Sequence, residues 1–149
     1  MASPIGPTGY SIFQDMLAIA AGKGEPPWEQ TIMRTETTLI TLIAANPGNT
    51  NKPHWHDDFD EFWYIVQGEL EWRISEPDRS GMMVIPASTG HGIMVPRGKR
   101  HEIRTIGTGM SLRLAVGSPT SHHIYEDGQE KWWTENSMLS IGVQGNEQS

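Results

Sequence analysis

The chain contains no cysteine. Disulfides, zinc–thiolate sites and thiol nucleophiles are therefore excluded outright. Basic residues are scarce: 11 Lys and Arg stand against 18 Asp and Glu, a formal charge of −7. A general nucleic-acid or anionic-membrane binder would show the opposite balance. Long apolar runs are also missing. The longest, Met16–Ala21 and Phe62–Val66, fall far short of a bilayer span. No charged n-region with an apolar h-region precedes Lys23, the first basic residue, so no secretory signal is expected and the cytoplasm is the expected compartment.

What is present fits one globular domain. The 149 residues are 36% apolar, with 16 Gly and 10 Pro, enough for one core without a disulfide or structural metal. Residues 1–30 read as an N-terminal arm and a short helix. Within them Ile12, Phe13, Met16, Leu17, Ala20 and Ala21 recur at helical spacing, with Ser11 as cap and Gly22 as stop. Residues 31–118 read as short strands and turns. Thr37–Ala45, Phe62–Val66, Met82–Ile85, Gly92–Val95, Glu102–Ile106 and Leu112–Val116 are strand runs, and Leu70, Trp72 and Ile74 alternate with charged residues. Many short strands separated by Gly and Pro turns predict a sandwich or barrel. Residues 119–149 read as an extension packing on it, with a frayed end at Gly145–Ser149.

The chemistry concentrates in the histidines. His54-Trp55-His56 places two imidazoles two residues apart, hence on one face of a strand. Glu61 has the wrong parity for that face on a straight strand. The intervening Asp57-Asp58-Phe59-Asp60 is a turn or bulge that re-aims the chain. Imidazole and carboxylate together suit Fe, Mn, Ni, Cu or Zn.

These residues carry a resemblance. Gly48-x5-His54-x-His56-x4-Glu61-x6-Gly68 is similar to the first cupin motif at every fixed position. Gly90-x5-Pro96-x-Gly98-x2-His101 is similar to the second, with Thr105 where that motif has Asn and His91 where Asp often follows the first Gly. The two motifs cover a little over a third of the chain. The resemblance implies an all-β fold, a cupin-type jelly-roll double-stranded β-barrel. It also implies one divalent metal per chain on His54, His56, Glu61 and His101, with Fe(II) favoured and Mn, Ni, Zn or Cu as alternatives. Pro86 to His91 repeats the Pro96 to His101 spacing, so His91 stands as a competing fourth ligand.

Around that set, Trp63 and Ile65 share parity with Glu61 and should face the interior, while Phe62, Tyr64 and Val66 face away. Trp63, Ile65, Trp72 and His91 are the substrate-pocket candidates, with plain core packing the other reading of Trp63. Arg97, Lys99, Arg100 and Arg104 offer a carboxylate anchor or simply a solvated strand edge. His122 and His123 read as loop or surface residues. Trp132 and Trp133 read as a barrel plug or a subunit contact.

The expected function is a non-haem Fe(II) dioxygenase acting on a small aromatic or enolic compound, with Glu61 also able to serve as a base. The alternatives are a redox-neutral isomerase or lyase, for which His91, Tyr64 and His122 are the available bases, and a non-catalytic small-molecule or carbohydrate binder. The resemblance implies a homodimer. Neither nucleic acid nor membrane is an expected partner.

Overall fold

The structure is a computed structural model and describes Gly6 and residues 9–132. Two antiparallel sheets face each other. The first has strand order β1-β2-β9-β4-β7, built from Trp28–Arg34, Leu39–Ala45, Ser111–Gly117, Glu61–Gln67 and Gly92–Val95. The second has order β11-β10-β3-β8-β5-β6, built from Glu130–Lys131, His123–Tyr125, His54–Trp55, Arg100–Ile106, Glu69–Ser75 and Met83–Ser88. This is the jelly-roll barrel that the motifs imply.

The period-two alternation in the sequence becomes the interior. Trp63 and Ile65 of β4, Ile43 of β2, Ile93 and Val95 of β7 and Ala115 of β9 point in from one sheet. Leu70, Trp72 and Ile74 of β5, Ala87 of β6 and Ile103 of β8 meet them from the other. Strand β2 is apolar at nearly every position because both its faces are covered. Its outward Leu42 and Ala44 join Trp28, Ile32 and Leu112 beneath α1, Met16–Lys23, the one α-helix among the described residues.

The helix starts later than expected. Asp15, not Ser11, is the N-cap, and its Oδ1 accepts from the amides of Leu17 and Ala18 at 3.1 Å. That places Ile12 and Phe13 outside the helix and exposed. Gly24, not Gly22, follows its end, with φ of +85°. Strand β1 has no counterpart in the expected pattern. A register shift between Thr31 and Met33 breaks its alternation. It also carries the first sheet back to Trp28, ahead of the expected boundary at residue 31. Strands β10 and β11 extend the second sheet, so residues 123–131 belong to the barrel rather than lying upon it.

Candidate metal centre

Three neighbouring strands of the second sheet set the histidines side by side. His54 of β3 is directly opposite His101 of β8. On the other side β10 runs antiparallel to β3, with Tyr125 opposite His54 and Ile124 opposite Trp55. One residue further along, His123 lies against His56, ring centroids 4.7 Å apart. The first sheet supplies Glu61 from the start of β4. Its Oε1 is 3.5 Å from His56 Nε2 and 3.3 Å from His101 Nε2.

Each imidazole is aimed by the chain. The Nδ1 of His54 donates to the Lys52 carbonyl at 2.8 Å, that of His56 to His122 at 2.5 Å, that of His101 to Lys99 at 3.3 Å and that of His123 to Ser121 at 2.5 Å. With Nδ1 carrying the proton, Nε2 presents a lone pair. All four Nε2 atoms are buried without a hydrogen-bond partner. An orphaned buried polar atom costs about 1–3 kcal/mol, and native proteins hold few. The Nε2 atoms of His54, His56 and His101, the last two beside the Glu61 carboxylate, form a donor set that fits a divalent transition ion, and the Nδ1–carbonyl bonds are the outer contacts such ligands use. The ligand atoms of His54, His56 and His101 lie within 4.8 Å of one another.

The electrostatics keep His54 and His123 neutral and Glu61 ionised. Burial, then the fields of His123, His101 and His56, hold His54 well below the usual imidazole value. Burial and the nearby His56 push His123 down to about 3. Burial opposes charge on His56, but the Glu61 carboxylate outweighs it and the net shift is upward. Burial also works against an ionised Glu61, yet His56 and His101 overcome it and hold the carboxyl well below its ordinary range.

The two motifs brace each other. The Gly98 amide donates to the His56 carbonyl at 2.5 Å, from a turn whose φ of +80° suits glycine. The Gly48 amide donates to the Thr105 carbonyl, and Thr105 Oγ1 pairs with Ser111 Oγ at 2.7 Å, so the departure at Thr105 touches no ligand. Buried Asn51, which the sequence reading passed over, stitches the ligand loop to β8 by accepting from the Ile103 amide at 2.6 Å. Glu61 is held by the Trp63 indole, whose Nε1 donates to Oε1 at 2.9 Å.

Of the predicted site residues, His54, His56, Glu61 and His101 converge. Trp63, Ile65 and Trp72 are fully buried together in the barrel interior, with Trp63 and Trp72 edge to face. His91 is not brought to them. It is exposed at the β6–β7 turn and accepts from the Ser88 amide, which leaves His101 as the histidine in the cluster. Tyr64 faces outward, as its parity required.

The reading of His122 and His123 as surface residues is corrected: both are buried. His123 opens β10 on the face it shares with Tyr125, which is opposite His54, and it points inward. His122 points away, bonded to Asp57 at 2.9 Å and Glu130 at 2.8 Å and stacked on Trp132. Trp132 is otherwise half exposed, and Trp133 lies outside the described residues. The basic segment is largely committed within the chain: Arg97 to Asp60, Lys99 to Glu76, and buried Arg100 to Glu126.

Comparison with known proteins places this arrangement. The family model described as "Cupin domain" matches residues 41–117. The chain is 31% identical to "Polyketide synthase CurC" of Streptomyces cyaneus over 84 residues, 50% of this chain and 51% of that one. The chain spans about half the length of the curated relatives it matches. A solved Thermus thermophilus structure is similar at TM-score 0.61 and 25% identity, covering 72% of this chain and 96% of that one. A Klebsiella pneumoniae protein described as having a double-stranded β-helix domain is similar in fold at TM-score 0.61 and 16% identity, covering 84% and 99%. The family match takes in more than half of the chain and runs through both histidine motifs; the chain belongs to the cupin family.

Proposed function

We propose that the chain is a metal-dependent enzyme acting on a small enolic or aromatic compound. The observation that carries this reading is the convergence of buried, unpartnered imidazole nitrogens on one carboxylate. A barrel that only bound an organic molecule would gain nothing from burying those lone pairs. His54, His56, His101 and Glu61 would hold the ion. When bound, such an ion would polarise a carbonyl or enol oxygen and, if redox-active, activate dioxygen. The chain's own part is to orient the ligands through the Nδ1–carbonyl bonds and to wall the site with Trp63, Ile65 and Trp72. The likeness to a protein named "Polyketide synthase CurC" supports an enolisable polyketone or phenol as the substrate class. A homodimer is part of the same proposal. Phe62 and Met94, opposite each other on β4 and β7, are both exposed on the outer face and offer an apolar contact.

The finer reading is a dioxygenase using Fe(II). Among the described residues, none of His91, Tyr64 and His122 reaches the centre as a general base, and Glu61 accepts from the Trp63 indole. Chemistry without a free protein base is favoured by that arrangement. The second reading is redox-neutral isomerisation or lysis on a Lewis-acid ion, and the relative named as a polyketide synthase favours it. Oxygen consumption by the iron-loaded protein decides between them, measured over a panel of enolic and aromatic acids. Uptake that requires a particular substrate is the dioxygenase result. Turnover of a panel compound without uptake selects the redox-neutral reading, and no turnover with any metal overturns both.

A further inference from the structure

We infer that His123 is a further donor at this centre, a fourth imidazole supplied by β10 from outside both sequence motifs. The inference rests on the metal-centre reading above. His123 is 2% exposed, and its Nδ1 is spent on the Ser121 carbonyl at 2.5 Å. Its remaining polar atom, Nε2, is buried without a partner. The ring centroid is 4.1 Å from His54 and 4.7 Å from His56. The ring thus packs directly on two of the three histidines whose ligand atoms lie within 4.8 Å of one another, His54, His56 and His101, and stands at the edge of that set.

Packing alone does not account for this. A phenyl ring would fill the space beside His54 without the cost of burying an unsatisfied lone pair. The neighbouring His122 shows the contrast. It is buried too, but both its nitrogens have carboxylate partners. The strand boundary separates the two: His122 lies just before β10, whereas His123 begins β10 and shares the face of Tyr125, which is paired opposite His54 of β3. The resulting set is nitrogen-rich, four imidazoles to one carboxylate, which suits zinc, copper, nickel or iron better than manganese.

The test is a Cu(II) titration of the full-length wild type, His123→Ala, His123→Phe and His101→Ala. It reads affinity by chelator competition and nitrogen couplings by electron paramagnetic resonance. Circular dichroism checks that each variant is folded, and His123→Phe keeps the ring volume if the alanine variant is not. Both His123 variants should bind more weakly than wild type by at least the roughly 10–100-fold that loss of an outer ligand contact costs. Both should show a spectrum with fewer nitrogens, and free imidazole should restore the wild-type spectrum in His123→Ala. Wild-type affinity and an unchanged spectrum in folded His123 variants overturn the inference and leave the metal centre standing. No Cu(II) uptake by the wild type overturns the metal-centre reading itself, and the inference with it.

Discussion

Trp63 and Trp72 form a matched pair that isolates what one hydrogen bond does. Both indoles are fully buried in the same interior cluster, with ring centroids 6.0 Å apart. The Trp63 Nε1 donates to Glu61 Oε1 at 2.9 Å, whereas the Trp72 Nε1 has no partner. Replacing either by Phe removes part of a buried ring, a loss of about 1–2 kcal/mol scaled from Trp→Ala costs. Trp63→Phe also removes a charge-assisted bond worth about 1.5–3 kcal/mol. Trp72→Phe instead removes an unsatisfied N–H and regains about 1 kcal/mol or more. The expected destabilisations are therefore about 2.5–5 kcal/mol for Trp63→Phe and about 0–1 kcal/mol for Trp72→Phe. At about 2–4 °C per kcal/mol, the metal-free melting temperatures should fall by about 5–20 °C and by about 4 °C or less. Metal affinity separates the two further. Glu61 released from its indole should weaken binding roughly 10–100-fold, while Trp72→Phe should leave it near wild type. Differential scanning calorimetry of the metal-free proteins and chelator competition measure the two quantities. Equal affinities in the two variants would refute the claim that Trp63 positions Glu61.

The same structure makes other commitments. His101→Ala should abolish metal binding while His91→Ala leaves it intact, and equal losses by chelator competition would contradict the placement of these two side chains. Glu126→Gln should cost about 1–2 kcal/mol near neutral pH, because it strips buried Arg100 of a partner at 2.5 Å. Burial pushes the Glu126 carboxyl up, but bonds from Arg100 and Arg79 bring its net value below the ordinary one. A carboxylate with a depressed folded value stabilises above its unfolded range and loses that contribution as pH falls through the folded value. The difference between wild type and Glu126→Gln should thus shrink below about pH 4.5 in urea melts, and a constant difference would count against the pairing. Gly68→Ala should destabilise by several kcal/mol, about 1–3 from the φ of +97° alone. Its Cβ would also lie 2.7 Å from the Met110 carbonyl oxygen. A melting temperature within a degree of wild type would contradict that.

The parts legible in the sequence were those with an unbroken period. In strand β5 Leu70, Trp72 and Ile74 alternate with charged residues, so its inward set is read directly; strand β4 is an unbroken apolar run, and its inward set Trp63 and Ile65 follows only from shared parity with Glu61, up to the register shift after Ile65. The ligands His54, His56, Glu61 and His101 follow from motif spacing, which encodes the cross-strand register of β3 and β8 without displaying it. Strand β1 was hidden by its bulge, since WEQTIMR has no clean alternation across Thr31 and Met33. The helix boundary was misplaced because Ile12 and Phe13 have helical spacing but make no core contact. Asp15, with a side chain that reaches two amides, was the better cap. His123 had a signal. It opens a strand whose third residue, Tyr125, is opposite His54, but the three-residue strand β10 was itself too short to recognise. The indole that holds Glu61 and the Asn51 bridge are contacts between side chains and distant partners, and no local pattern reveals them.

The central claim is that this barrel holds one divalent transition ion on its buried histidines and Glu61. Metal content per chain measures it directly, by inductively coupled plasma mass spectrometry of the purified protein before and after anaerobic reconstitution. The account predicts close to one ion per chain in wild type and close to none in a folded His54→Ala/His101→Ala variant. A wild type that stays metal-free after reconstitution, or a double variant that retains a full equivalent, would contradict it.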